Sequence, residues 1–187
     1  MSQNFNLEHE TGFEATRSDG NYENPTPSRN HNSVDVRFFN PDILGFTHVH
    51  QNPFVHPVLG QQNPPPIFSS DDVEIFLQLV LNAFDNGFPV NEIFAGVLSS
   101  TNHFQLRFTG NPLDLESIPV TSLGEGGRDL LRKFNKDSET VEVGLLNYLN
   151  ALGVEGVELY ELLNDGSTVK HNLNDAGTGL LPPTPCN

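Results

Sequence analysis

The chain is poor in cysteine, in basic residues and in long apolar runs, and each shortage removes a class of function. Its 187 residues include one cysteine, Cys186, in the terminal run Pro-Pro-Thr-Pro-Cys-Asn. A lone thiol makes no intrachain disulfide and no cysteine-based zinc site, so any metal must be bound by histidine and carboxylate. Cys186 also has no fixed partner that would activate it as a nucleophile. Lys and Arg number 9 against 24 Asp and Glu, a formal net charge of -15. That balance argues against nucleic acid, where binding depends on basic groups releasing counterions from phosphates, and equally against an anionic membrane surface. No stretch approaches the ~18 apolar residues needed to span a bilayer. The first ten residues lack the basic start and apolar core of a signal peptide. The sequence therefore reads as a soluble protein, with no segment that specifies a localisation or an oligomeric state. The Gly-x-Gly-x-x-Gly, Gly-Lys-Ser/Thr and His-Glu-x-x-His patterns are missing as well.

What is present is a moderate supply of core residues among many turn formers. Hydrophobic residues make up 36% of the chain and lie mostly between Val34 and Leu163, while 16 Gly and 14 Pro demand frequent turns. One α/β domain over residues 1–176 is expected, followed by an extended Gly/Pro-rich tail over 177–187. Glu10 to Tyr22 suggests a short strand and a Ser-Asp-Gly turn, and Val34 to Phe38 alternates like a half-buried strand. Ile43 to His50 is β-rich. Residues 51–68 carry five prolines and are expected to form a long irregular loop. Ser69-Ser70-Asp71-Asp72 opens the clearest helix, with Val73, Phe76, Leu77, Val80, Leu81 and Phe84 at helical spacing and Asn86-Gly87 at its end. Ile93 to Ser99 and Phe104 to Phe108 form a hairpin pattern. Gly124 to Arg128 reads as a flexible joint before a helix at Leu130 to Phe134. Val141 to Leu152 is a second late helix, and Val157 to Leu163 and Val169 to Leu173 are late strands.

Two short motifs carry chemistry. In His48-Val49-His50 the two imidazoles leave one face of a strand, with Cα atoms about 6–7 Å apart, which suits two ligands for one ion. Ser69-x-x-Asp72 has the form of a capping box, with an acid at the positive end of the helix dipole. Capping and metal binding are compatible, because a helix start can aim one carboxylate at the end of a neighbouring strand. Asp71 is the alternative carboxylate. His56 reads as a loop histidine without a metal role, His103 and His171 as exposed, and His9 as lying on the wrong strand face.

A strand ending in His-x-His, a loop, and Ser-x-x-Asp opening a helix together resemble the JAMM motif of MPN-fold metalloproteases. The resemblance spans roughly Leu7 to Phe108. It implies an MPN-like mixed β-sheet flanked by helices, with zinc held by His48, His50 and Asp72 and a fourth position open to water. It also implies that Ser69 stabilises the oxyanion and that a glutamate on an early strand is the general base. Glu10, just before Thr11-Gly12-Phe13, is the first candidate for that base, with Glu8 and Glu14 as alternatives. Two features depart from the family pattern. Gln51-Asn52 precede Pro53 where a proline usually follows the second histidine, and the loop to Ser69 is much longer than usual. The expected activity is zinc-dependent hydrolysis of an amide bond in a peptide or protein substrate. The alternatives are a non-catalytic MPN-like binding module and a zinc hydrolase of non-peptide amides.

Overall fold

Apolar alternation and helical spacing along this chain build an α/β fold, a mixed sheet flanked by helices. The computed structural model describes residues 4–7, 9–18, 22–23, 26–27, 33–58 and 60–186. The strands before the first helix are β1 (Thr11–Thr16), β2 (Tyr22–Glu23), β3 (Thr26–Pro27), β4 (Val34–Asp35), β5 (Ile43–Val49), β6 (Phe54–His56) and β7 (Gly60–Gln62). After helix α1 (Ser70–Asp85) come β8 (Phe94–Leu98), β9 (His103–Phe108), α2 (Leu123–Asp137), α3 (Val141–Ala151), β10 (Val157–Leu162), β11 (Thr168–His171) and β12 (Thr184–Pro185). None of the described helices is long and apolar enough to cross a membrane.

Eight strands form the main sheet in the order β12-β11-β10-β9-β8-β5-β1-β2. Every neighbouring pair is antiparallel except β5 and β8. A parallel pair needs a crossover, and α1 supplies it between the two central strands. Helix α1 starts where Ser69 caps it and stops where Gly87, at φ 73°, turns the chain away. Its stripe of Phe76, Leu77 and Val80 is fully buried against Phe46, Val97, Phe104 and Leu106 of the sheet. Each such side chain contributes roughly 1.5–3 kcal/mol by leaving water. This packing fixes the N-terminus of α1 above the C-terminal end of β5, where the histidines sit.

Four expectations need correction. The segment 51–68 is not wholly irregular, because β6 and β7 pair into a two-stranded ribbon, Phe54 opposite Gln62. The run Gly124 to Arg128 is not a joint but the opening of α2, which begins at Leu123. Its glycines are packing sites. A Cβ on Gly124 would lie 2.2 Å from Asp71 Oδ1, and one on Gly127 would lie 2.1 Å from the Tyr148 hydroxyl. The strand expected over Val34 to Phe38 shrinks to Val34–Asp35, paired with β3. His171 is buried rather than exposed, its Nε2 3.0 Å from Glu161, and His103 is half-buried. Towards the C-terminus, Leu180 bridges to Leu173 and β12 forms the edge of the main sheet beside β11.

Candidate metal centre

The register of β1 against β5 sets the geometry. Gly12 pairs with His48 and Thr11 with Val49, so one further step brings Glu10 opposite His50. Directly opposed residues of an antiparallel pair share a face. Glu10 and both imidazoles therefore project from the sheet face that α1 covers. Gly12 makes the close approach of β1 possible, because a Cβ there would lie 2.5 Å from the Thr47 carbonyl oxygen and 2.9 Å from His48 Cβ.

Among the described residues, one group of three or more His, Cys, Asp or Glu side chains brings its ligand atoms within 4.8 Å of one another: Glu10, His48 and His50. The two imidazole Nε2 atoms stand 2.8 Å apart, and each is 3.9 Å from a Glu10 carboxylate oxygen. Asp72 closes the other contacts, with Oδ1 3.4 Å from His48 Nε2 and Oδ2 3.8 Å from His50 Nε2. The two histidines expected as ligands and the glutamate expected as base thus form this group, and Asp72, the expected carboxylate ligand, stands outside it while approaching both imidazoles. Side-chain exposure is 1% for His48, 3% for His50 and Glu10, and 11% for Asp72. Asp72 is the least buried of the four.

The remaining candidates are placed elsewhere. Glu14 is buried and held by Arg37, whose backbone N–H and guanidinium both donate to its carboxylate. It shares strand parity with Glu10 but lies four residues further along, about 13 Å at strand rise. Asp71 turns away to Arg128, 3.3 Å distant. His9, His56, His103 and His171 lie outside the cluster. Glu8 falls outside the described residues.

Ser69 and Asp72 form a complete capping box. Asp72 Oδ2 accepts from both the backbone N–H and the hydroxyl of Ser69 at 2.7 Å, while the Asp72 N–H donates back to Ser69 Oγ at 3.2 Å. The cap thus aims the carboxylate at the histidines, and the Ser69 hydroxyl proton is directed at Asp72.

His50 Nδ1 lies 2.5 Å from the Pro65 carbonyl oxygen. A carbonyl only accepts, so Nδ1 carries the proton, and Nε2 of the neutral ring presents its lone pair to the cluster. Such a backbone acceptor is the usual support of a metal-bound histidine. It comes from the segment 51–68, so the long insertion helps to build the site. His48 Nδ1, by contrast, is buried without a hydrogen-bond partner.

Charge accounting favours a cation here. Burial, reinforced by the charge of Asp72, pushes the Glu10 carboxyl up to about 9, and burial followed by His48 lowers the His50 imidazole to about 4. A protein without an ion therefore holds Glu10 protonated at neutral pH, whereas a cation beside it would favour the carboxylate. Tetrahedral zinc bonds of ~2.0–2.2 Å place neighbouring donors about 3.3–3.6 Å apart. The His48–Asp72 separation of 3.4 Å meets that spacing, and the pair of Nε2 atoms at 2.8 Å needs to open by about half an ångström. Two imidazoles and two carboxylates without sulfur fit a divalent cation. The buried Glu10-His48-His50 group is thus a site able to hold a metal ion. Comparisons of the chain with protein-family models, curated proteins and solved structures found no match.

Proposed function

We propose that the protein is a zinc-dependent peptidase or isopeptidase of the JAMM type. The observation that carries this reading is the convergence of Glu10, His48, His50 and Asp72, drawn from two strands and a helix start, on one buried point. A buried cluster of two carboxylates and two imidazoles is costly to desolvate unless a cation compensates it, so its assembly suggests a metal site rather than a structural network. His48, His50 and Asp72 would hold the ion, with Glu10 beside it. When bound, zinc acts as a Lewis acid and lowers the pKa of a water towards ~7.

The chain's own groups supply the rest. Glu10, ionised beside the cation, accepts a proton from the attacking water and returns it to the departing amine. Pro65 holds the His50 tautomer, and the Ser69 cap orients Asp72. Ser69 reaches a developing oxyanion only after its hydroxyl turns away from Asp72, which leaves the cap partly undone at that moment.

This engagement of Ser69, together with the near-complete burial of the histidines, favours a second reading, in which the domain keeps the metal site as a non-catalytic binding module. One experiment separates the two. Protein purified with zinc is expected to hold about one ion per chain and to lose it in His48→Ala. Glu10→Gln is expected to hold one zinc per chain in excess zinc, at an affinity at least about tenfold lower, and to lose hydrolysis of a fluorogenic peptide or isopeptide library. Zinc retention by His48→Ala would remove the metal site from the proposal. Zinc-loaded wild type that cleaves no member of the library would leave the binding module. A preference for small non-peptide amides in the same assay would change the substrate class and leave the residues' roles intact.

A further inference from the structure

Glu10 sits just outside the β-ladder, whose last rung is Thr11 with Val49. Backbone pairing therefore fixes Glu10 from one side only. The second anchor comes from the two residues after His50. The Gln51 side chain, 4% exposed, donates from Nε2 to the Leu7 carbonyl at 2.7 Å. The Asn52 N–H donates to the Phe5 carbonyl at 2.8 Å, and Asn52 Nδ2 donates to Asn6 Oδ1 at 3.1 Å. Gln51 and Asn52 are themselves held to the sheet, because the His50 N–H donates to the Leu98 carbonyl at 2.8 Å. Chain segments that run freely past a sheet end fray, and these three hydrogen bonds prevent it at the residue whose carboxylate must stay beside the imidazoles.

We propose that Gln51 is a positioning residue that clamps the segment 5–7 to the end of β5 and so holds Glu10 against the metal site. The inference rests on the metal-site reading above and assigns a task to the residues that depart from the family pattern after the second histidine. Gln51 suits it: a buried amide that donates to a backbone carbonyl fixes the main chain whatever side chains flank it. It acts through Glu10 and touches no reacting atom.

A double-mutant cycle on the zinc-binding protein tests the assignment. Zinc affinity is measured by chelator competition for wild type, Gln51→Met, Glu10→Gln and the double variant, and kcat and KM are recorded where turnover exists. Methionine keeps the length and burial but cannot donate. Supporting groups around metal ligands typically govern affinity or activity by 10- to 100-fold. Gln51→Met is therefore expected to weaken zinc binding at least about tenfold when Glu10 is present, and less than about twofold when residue 10 is already glutamine. Where turnover exists, kcat should fall with little change in KM. Equal losses in both backgrounds would make Gln51 a general structural residue and overturn the clamp, as would no loss in either. Should Gln51→Met fail to fold, Asn52→Ala carries the same cycle, with the same dependence on Glu10 required. A chain without peptidase activity leaves the affinity cycle fully interpretable, so failure of the enzyme reading is distinguishable from failure of this one.

Discussion

Glu10 offers the sharpest test of the site's electrostatics, through the stability of the metal-free protein. Its carboxyl is 3% exposed and raised from an ordinary value near 4.5 to about 9, first by burial and then by the charge of Asp72. Between those two values the folded protein keeps the Glu10 proton while the unfolded chain releases it. The unfolded state then binds fewer protons, so stability falls as pH rises, by about 1.4 kcal/mol per pH unit for one proton. His50, depressed to about 4, works in the opposite sense but only below its unfolded value of 6.5, so it does not contribute above that pH. From pH 6.5 to 8.5 Glu10 alone should cost the metal-free protein about 3 kcal/mol, an order-of-magnitude figure. Glutamine at position 10 cannot ionise and should remove that slope. The assay is denaturant unfolding in excess chelator at five or six pH values for wild type and Glu10→Gln. Parallel stability profiles for the two proteins would refute the reasoning, because they would mean that Glu10 titrates alike folded and unfolded. Zinc should reverse the trend. Binding displaces the Glu10 proton, so calorimetry in buffers of different ionisation enthalpy should report about one proton released near pH 7 by wild type and about one fewer by Glu10→Gln.

Four further substitutions separate site from scaffold. Gly12→Ala places a methyl within 2.5 Å of the Thr47 carbonyl and 2.9 Å of His48, and should destabilise by about 1–3 kcal/mol and weaken zinc binding, read by thermal melts and chelator competition. Glu14→Gln removes the buried carboxylate that the half-exposed Arg37 binds and should lower stability by about 1–3 kcal/mol while leaving zinc stoichiometry at wild-type level, since Glu14 is committed away from the cluster. Asp71→Asn should keep zinc affinity within about twofold, and Asp72→Asn should lose at least tenfold, because only Asp72 faces the imidazoles. Equal effects of the two aspartate changes would place the metal elsewhere.

The elements and the metal-facing residues were legible in the sequence to different degrees, for physical reasons. Helix α1 was plain because its cap, its apolar stripe and its stop all lie within a contiguous stretch of chain. His48 and His50 were legible because strand periodicity alone puts both on one face. Asp72 followed because a capping carboxylate has little choice of direction. The opening of α2 was hidden by glycines, which mark flexible chain in isolation. Here they permit contact with Asp71 and Tyr148, a tertiary fact that no local pattern carries. His171 was misjudged for the same reason. Its neighbours in sequence are polar, but its partners are Glu161 on the adjacent strand and Phe104 on the strand beyond that.

The choice among the early glutamates shows where local reading stops. Glu10 and Glu14 share a strand face, so periodicity cannot rank them. What ranks them is the register of β1 against β5, which puts Glu10 opposite His50 and Glu14 opposite Phe46. Register in turn is set by the close approach at Gly12 and by the shared burial of that face. Arg37 then removes Glu14 from contention by neutralising it, while among the described residues no lysine or arginine does the same for Glu10 or Asp72, whose ion-pair partners there are the histidines themselves. A fold that pairs one buried glutamate with arginine yet leaves two other buried carboxylates facing imidazoles carries, among the described residues, a demand for positive charge at a single point that grows as those carboxylates ionise. A divalent cation meets that demand, and this asymmetry, more than the spacing of any motif, is the physical ground for reading the cluster as a metal centre.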